Sequence, residues 1–175
     1  NDIVDSLKKF GTDAVSIHTK KNNIIKVTPE AKELGFVGMP DKIDNNLIEK
    51  ILNQKQVPII SPLGLGNDNH PYNINGDTAA GAIAKSLKSR RLLLMTNVEG
   101  VLDKNKKLID EISSLEILKM IEDNTITEGM IPKINTCLDA VNNGVTAVGI
   151  IDGRKQHSIL FEIFSDKGSG TLIRK

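Results

Sequence analysis

One stretch of this chain, Leu92-Leu-Leu-Met95, is apolar at every position, and Val145 to Ile151 reads as a further strand ending at Asp152-Gly153. A strand with one wet face alternates polar and apolar residues, so a continuous run belongs in a sheet covered on both faces. Helical patterns surround these runs. Asp77 to Leu87 places Ala80, Ile83, Ala84 and Leu87 on one side, and Ser113-Ser-Leu-Glu116 spells a capping box ahead of Leu115, Leu118 and Ile121. Pro132 opens a further helix carrying Ile134, Leu138 and Val141, which Gly144 closes, and His157 to Phe164 is a short amphipathic one. Strands alternating with helices of roughly ten to fifteen residues build parallel β-α-β units. The expected class is therefore α/β, a layered sheet with helices against it.

The first half is less regular. Ile3, Leu7 and Phe10 share one helical face before Gly11, and Asp44 is placed to cap a helix with Leu47, Ile48, Ile51 and Leu52. Ala14–Ile17 and Ile24–Val27 read as strands joined by a Lys-Lys-Asn-Asn turn, the pattern of a hairpin. Val57-Pro-Ile-Ile60 is a further short strand. Pro29 to Asp41 reads as irregular, and Pro62 to Gly76 as a loop long enough to suggest a function. No repeat and no linker is visible, so residues 1–175 are expected to form a single domain.

Charge excludes several roles. With 23 Lys+Arg against 22 Asp+Glu the net charge is +1, which offers no global field to nucleic acid or an anionic membrane. Aromatic residues make up 3%, too few for a base-stacking surface. No apolar run approaches the ~20 residues of a membrane span. The single cysteine, Cys137, cannot form an internal disulfide and points to a reducing, cytoplasmic setting; on the apolar side of its helix it reads as packing.

Ligands of such sheets bind beyond the carboxyl ends of the strands. Three segments fall there: Asn73-Ile-Asn-Gly-Asp77, Asn97-Val-Glu-Gly100 and Gly129-Met-Ile-Pro-Lys133. Helix N-termini offer unpaired N–H groups and partial positive charge, which suit phosphate. Neither GxxxxGK[ST] nor GxGxxG occurs. Asp77 serves equally well as a helix cap, and Asn73 and Asn75 as turn formers. Lys133 is electrostatically unhelpful at a helix start, which favours an anionic partner. His18, His70 and His157 are too dispersed to hold a metal, Ser61 lacks a nucleophile setting, and Asp103-Lys-Asn-Lys-Lys107 reads as a solvated turn.

At the same segments the chain becomes recognisable. Tyr72-Asn-Ile-Asn-Gly-Asp-Thr-Ala-Ala-Gly-Ala-Ile-Ala84, Leu94-Met-Thr-Asn-Val-Glu-Gly-Val-Leu-Asp103, Gly129–Lys133 and Gly149-Ile-Ile-Asp-Gly-Arg154 strongly resemble the N-acetylglutamate kinases of the amino acid kinase family, in order and spacing. The match runs from Gly35-Phe-Val-Gly38 to the Gly168-Ser-Gly-Thr171 region, and corresponds to the C-terminal portion of a longer family member. The resemblance implies a three-layer αβα sandwich with a mainly parallel central sheet, N-terminally truncated. It holds the ATP-binding part and the end of the substrate-binding part.

The implied reaction transfers the γ-phosphoryl group of ATP to the γ-carboxylate of N-acetyl-L-glutamate, a step of arginine biosynthesis. By the resemblance, Lys133 stabilises charge on the transferred oxygens and Asp77 holds catalytic lysines in position. Asn73 binds the backbone groups of N-acetylglutamate. Asn97, Val98, Glu99, Gly100, Val101 and Leu102 line the adenine and ribose with Thr125, Ile126 and Thr127, while Gly129 and Met130 lead to the phosphates. Mg²⁺ would arrive with ATP, held mainly by phosphates. Glu162 and Gly168 resemble the segment that binds arginine in feedback-inhibited members, and family members are homo-oligomers.

Departures from the pattern are specific. The usual Asn-Ala-Asp reads Asn75-Gly76-Asp77, the usual Asp-Val reads Asn97-Val98, Ser16–Lys20 stands where a Leu-Ser-Gly-Lys-like stretch is usual, and Gly149 stands where arginine-sensitive members carry His. The family's glycine-rich phosphate loop, first lysine and substrate arginine precede the matched region, and a chain without them is expected to lack kinase activity. The competing expectations are another amino acid kinase (glutamate 5-kinase, aspartokinase, carbamate kinase or UMP kinase) and a non-catalytic nucleotide- or effector-binding module.

Overall fold

The computed structural model describes residues 2–126 and 129–175, apart from the side chain of Lys20. The chain divides into two compact units, Asn1–Ser86 and Leu87–Lys175.

The first unit opens with α1 (Asp2–Lys9), β1 (Ala14–Ile17), the helical turn α2 (Thr19–Asn22) and β2 (Ile25–Pro29). There follow a 3-10 turn at Lys32–Leu34, β3 (Gly38–Ile43), α3 (Asn45–Asn53), β4 (Val57–Ile60), β5 (Leu63–Leu65), β6 (Pro71–Asn73) and α4 (Gly76–Ser86). The expected hairpin of the two early strands does not form. β1 pairs in parallel with β4, Ala14 opposite Val57 through Ile17 opposite Ile60, whereas β2 pairs antiparallel with β3 in a four-stranded sheet ordered β3-β2-β5-β6. Burial explains the separation. β2 alternates Ile25 and Val27, both buried, with exposed Lys26, which suits a sheet with one wet face. The chain between β1 and β2 closes a helical turn instead of a two-residue bend.

The stretch from Pro62 to Gly76 is also ordered differently from expectation. It forms the β5–β6 hairpin, with Leu63 opposite Asn73 and Leu65 opposite Pro71. Strands of three residues that carry glycine and proline leave no period to read. Gly64 lets β5 lie against β2, since a Cβ there would come within 2.2 Å of Val27 Cγ1. On α1 the buried residue is Val4, while Ile3 and Phe10 are exposed, so the apolar stripe read from spacing is not the packed face. α3 starts at the expected cap, where the Asp44 carboxylate accepts the Asn46 N–H at 3.0 Å.

The second unit runs β7 (Arg91–Thr96), β8 (Glu111–Ser113), α5 (Ser114–Glu122), α6 (Ile131–Asn142), β9 (Ala147–Asp152), α7 (Ser158–Phe164) and β10 (Gly170–Arg174). Its sheet is ordered β7-β9-β10-β8, with β7–β9 and β10–β8 parallel and β9–β10 antiparallel. β9 is buried along its whole length, as its apolar run requires. The capping box at α5 is present: the Ser113 hydroxyl receives the Glu116 N–H and the Glu116 carboxylate receives the Ser113 N–H at 2.9 Å. Aromatic side chains being scarce, isoleucine fills the interior: Ile117, Ile134, Ile150, Ile151 and Ile173 are essentially inaccessible. Cys137 is buried among them, as its helical position predicts. No helix among the described residues is long and apolar enough to cross a membrane.

Truncating the centre of β9 tests this core. Ile150→Ala removes a side chain with no exposed surface, and urea unfolding should show a loss of about 2–5 kcal/mol.

Candidate functional site

β7 and β9 run in parallel register from Arg91 opposite Ala147 to Thr96 opposite Asp152, so both end at one edge of the sheet. The loop after β7 turns there. Gly100 has φ +149, and a Cβ on it would lie 2.5 Å from Thr171 Oγ1 and 2.8 Å from Leu108 Cδ1. Glycine is what permits that approach. The next residue is fixed on both sides: Val101 N–H donates to Thr171 Oγ1 at 2.8 Å, and Val101 C=O accepts from Ile109 N–H at 2.9 Å. The Asp103 carboxylate then organises a tight turn by accepting the Asn105 and Lys107 N–H groups, each at 2.8 Å.

A second wall comes from the end of α5. There Asp123 accepts the Thr125 N–H at 3.0 Å and the Thr125 hydroxyl, and pairs with Lys104 at 2.8 Å. The Lys104 ammonium first, then the Thr125 hydroxyl, pull the Asp123 carboxyl down to about 2. The third wall is the start of α6. Its first turn holds no acidic residue, no described side chain caps it, and Pro sits at its opening positions. The half-buried Lys133 stands in that same turn.

Together these walls enclose a cavity of about 920 Å³. Of the residues read from sequence, Asn97, Val98, Gly100, Val101, Leu102, Thr125, Ile126, Gly129, Met130 and Lys133 line it. Glu99 does not; its carboxylate pairs with Lys155 at 3.0 Å. Thr127 lies outside the described residues. Lys104 and Lys106, read as part of a solvated turn, border the cavity. Lysines and the amino end of a helix surrounding a volume with apolar walls can hold an anionic group attached to a flat apolar one.

Asp77 and Asn73 belong to the first unit. The cap of α4 is Asn75, whose Oδ1 accepts the Asp77 and Thr78 N–H groups at 3.0 and 3.2 Å. The Asp77 carboxylate, half-buried in the first turn, stands where the helix dipole favours negative charge. Asn73 ends β6 with its backbone fixed twice, by the ladder to Leu63 and by donation of its N–H to Phe36 C=O at 2.8 Å. Its exposed side chain is thereby displayed from a rigid edge.

Residues 1–152 match the profile of the amino acid kinase family. The chain belongs to that family. It is 54% identical over 174 residues to the acetylglutamate kinase of Pelagibacter ubique, covering 99% of this chain and 60% of that protein. It is 42% identical over 186 aligned positions to the acetylglutamate kinase of a Bradyrhizobium strain, covering 99% and 62%. The chain thus spans about 60% of the length of the curated relatives it matches. Among solved structures, the smu.665 protein of Streptococcus mutans superposes with a TM-score of 0.81 at 31% identity, over 99% of this chain and 65% of that one. Carbamate kinase of Giardia superposes with a TM-score of 0.70 at 20% identity, over 99% and 66%, a likeness of fold.

Within this amino acid kinase family member, Glu162 of α7 is buried. Its Oε2 accepts the Ser169 N–H at 2.9 Å, and the Arg91 guanidinium lies 3.6 Å from Oε1 while donating to the Glu162 carbonyl at 3.2 Å. Two glycines make room for the carboxylate: Gly149, whose Cβ would be 3.3 Å from Oε1, and Gly168 at φ +68, whose Cβ would be 2.7 Å from Oε2. Sequence reasoning assigned no role to Asp123, which lines the cavity, to Thr171, which holds the lining residue Val101, or to the pair Asp152–Arg154 at the end of β9. Asp152 is 3% exposed and takes Arg154 Nε and Nη2 at 3.0 and 2.9 Å, which draws its carboxyl down to about 2. Asp152 and Arg154 fall in the Gly149–Arg154 motif and Thr171 in the Gly168–Thr171 segment, both matched by resemblance without a role for these residues, and Asp123 carries no local signal.

The pH dependence follows from these carboxyls. Asp123 and Asp152 titrate near 3.8 in the unfolded chain and about 2 in the folded one, so the folded state releases their protons more readily. Their stabilisation is complete above about pH 4 and disappears as pH falls towards 2. Thermal melts between pH 5 and 2 should show the decline, and Asp152→Asn should flatten it.

Proposed function

We propose that this chain carries the nucleotide-binding region, and the end of the substrate-binding region, of an acetylglutamate kinase. The reaction moves the γ-phosphoryl group of ATP onto the γ-carboxylate of N-acetyl-L-glutamate and leaves an acyl phosphate. The observation that carries this reading is the cavity of the second unit. Its walls bring together the 97–102 loop, the 123–126 turn and the amino end of α6 with Lys133. The relatives named acetylglutamate kinase supply the acceptor.

The chemistry asks little of a base. The acceptor oxygen is already anionic, so catalysis rests on bringing two anions into line and neutralising the charge that develops between them. The Lys133 ammonium and the N–H groups opening α6 supply that positive potential. The 97–102 loop, with Thr125 and Ile126, offers the adenine and ribose a wall. Among the described residues no group of three or more His, Cys, Asp and Glu side chains is placed to hold a metal. Mg²⁺ is accordingly assigned to the phosphates it accompanies, with no step routed through it. Asn73 is assigned to the backbone groups of N-acetylglutamate, and Asp77 to holding catalytic lysines.

The wider reading is a cytoplasmic homo-oligomer. Glu162 and Gly168 are the candidate contacts for an arginine effector. Arg91 already sets a guanidinium against Glu162, which supports a carboxylate suited to that group.

Isothermal titration with ATP and with adenosine tests the assignment of Lys133. Lys133→Ala should weaken ATP at least about tenfold, the size of one charge-assisted contact, and leave adenosine unchanged. Where acyl phosphate is trapped as a hydroxamate, kcat should fall by on the order of 10². Equal ATP affinity in both proteins overturns the assignment, and hydroxamate formed with glutamate, aspartate or carbamate instead of N-acetylglutamate overturns the acceptor.

A further inference from the structure

We propose that Thr171 is a positioning residue for the nucleotide, its hydroxyl fixing the Gly100–Val101 corner of the cavity wall; this rests on the nucleotide reading above. Thr171 lies in β10, and its backbone pairs with Ile150 at the centre of the sheet. Its place is therefore set by the core and not by the loop it touches. The side chain is 1% exposed and Val101 is 2% exposed, so the Val101 N–H has no water to turn to. Thr171 Oγ1 accepts that N–H at 2.8 Å. A buried donor deprived of its acceptor is costly, so the loop would shift to find another.

The corner is built around this hydroxyl. Gly100, at φ +149, brings its Cα so close that a Cβ would stand 2.5 Å from Oγ1. On the same residue, Val101 C=O is held by Ile109 N–H, and Leu102 bridges to Leu108. The loop is thus anchored to the chain after it and, through Thr171, to the sheet beneath it. Asn97, Val98 and Leu102 present the loop's other surface to the cavity. Lys133 and the α6 start stand on a separate element, so a displaced corner loosens binding of the nucleotide without disturbing the charge that acts on the phosphoryl group.

The experiment measures ATP binding and backbone amide exchange in the unaltered protein, Thr171→Val and Thr171→Ser. Valine keeps the volume and removes the hydroxyl; serine keeps the hydroxyl. Thr171→Val should raise the Kd for ATP about tenfold, the loss expected when one buried donor goes unmet, and Thr171→Ser should stay within about twofold. Val101 amide exchange should be slow in the unaltered protein and in Thr171→Ser, and fast in Thr171→Val, with the Ile150 amide unchanged throughout. Where turnover is measured, KM for ATP should rise and kcat hold.

Equal ATP affinity in Thr171→Val and the unaltered protein overturns the proposal. So does a Thr171→Ser as weak as the valine variant, or a Val101 amide already fast before any substitution. If Thr171→Val does not fold, Gly100→Ala displaces the same corner with the hydroxyl intact, and an unchanged Kd there overturns the proposal. An unaltered protein that binds no ATP sinks the nucleotide reading, and this inference with it; binding that is indifferent to residue 171 sinks the inference alone.

Discussion

The cavity of the second unit hangs on the parallel pairing of β7 with β9. A six-residue register from Arg91–Ala147 to Thr96–Asp152 brings both carboxyl ends to one edge, and chemistry at such an edge is a property of α/β sheets in general. Here the edge is reinforced by backbone: Gly153 N–H donates to Thr96 C=O at 2.8 Å, so the loops after the two strands are stitched together where they leave the sheet. Asp152, buried at the end of β9, accepts Arg154 Nε and Nη2 at the same edge. A slip of one residue would exchange the faces of every side chain in the pair. On β7 that slip would bury exposed Arg91 and Met95 and expose Leu92 and Leu94, which fixes the register.

Charge is distributed unevenly over the helix starts. α3 is capped by Asp44, α4 by Asn75 with Asp77 in its first turn, and α5 by the Ser113–Glu116 box. α6 has proline in place of a cap and Lys133 in place of an acid. A lysine there opposes the helix dipole, so α6 starts less favourably than its neighbours. It is also the helix start that faces the 920 Å³ cavity. This is the one start among α3 to α6 that sets a basic residue where the others set an acid or an uncharged cap.

Much of this was legible in sequence, for identifiable reasons. The strands at Leu92–Met95 and Val145–Ile151 are legible from their nearly unbroken apolar runs, although only β9 is covered on both faces and β7 leaves Met95 exposed, and the capping box because both partners lie within three residues. The loop residues around the cavity come through resemblance. Periodicity alone says nothing about them, because a loop's conformation is set by contacts distant in sequence. Thr171 illustrates the limit: it sits 70 residues from the N–H it receives, and nothing near it announces that partnership. The early strands mislead for a related reason. Adjacency in sequence suggests a hairpin, but the choice between pairing β1 with β2 or with β4 depends on which faces are buried. Lys104 and Lys106 are solvated as their turn suggests, and border the cavity as well, which their sequence does not announce.

The two walls beside the 97–102 loop are held by bonds of very different strength. The Thr171–Val101 bond is buried and sheltered from competing water, which makes it both strong and expensive to break. The Lys104–Asp123 pair, which ties the turn after the loop to the end of α5, is substantially exposed and therefore screened by salt and water. One wall is thus fixed to the sheet while the opposite one is joined across the cavity by a contact that separates readily. The buried contact fixes the 97–102 loop, whereas the exposed pair adds little rigidity. Preorganisation of that kind lowers the entropy that binding would otherwise spend on ordering the site. It also gives the fold a reason to place the buried hydroxyl under the loop and the exposed ion pair at its rim, and not the reverse.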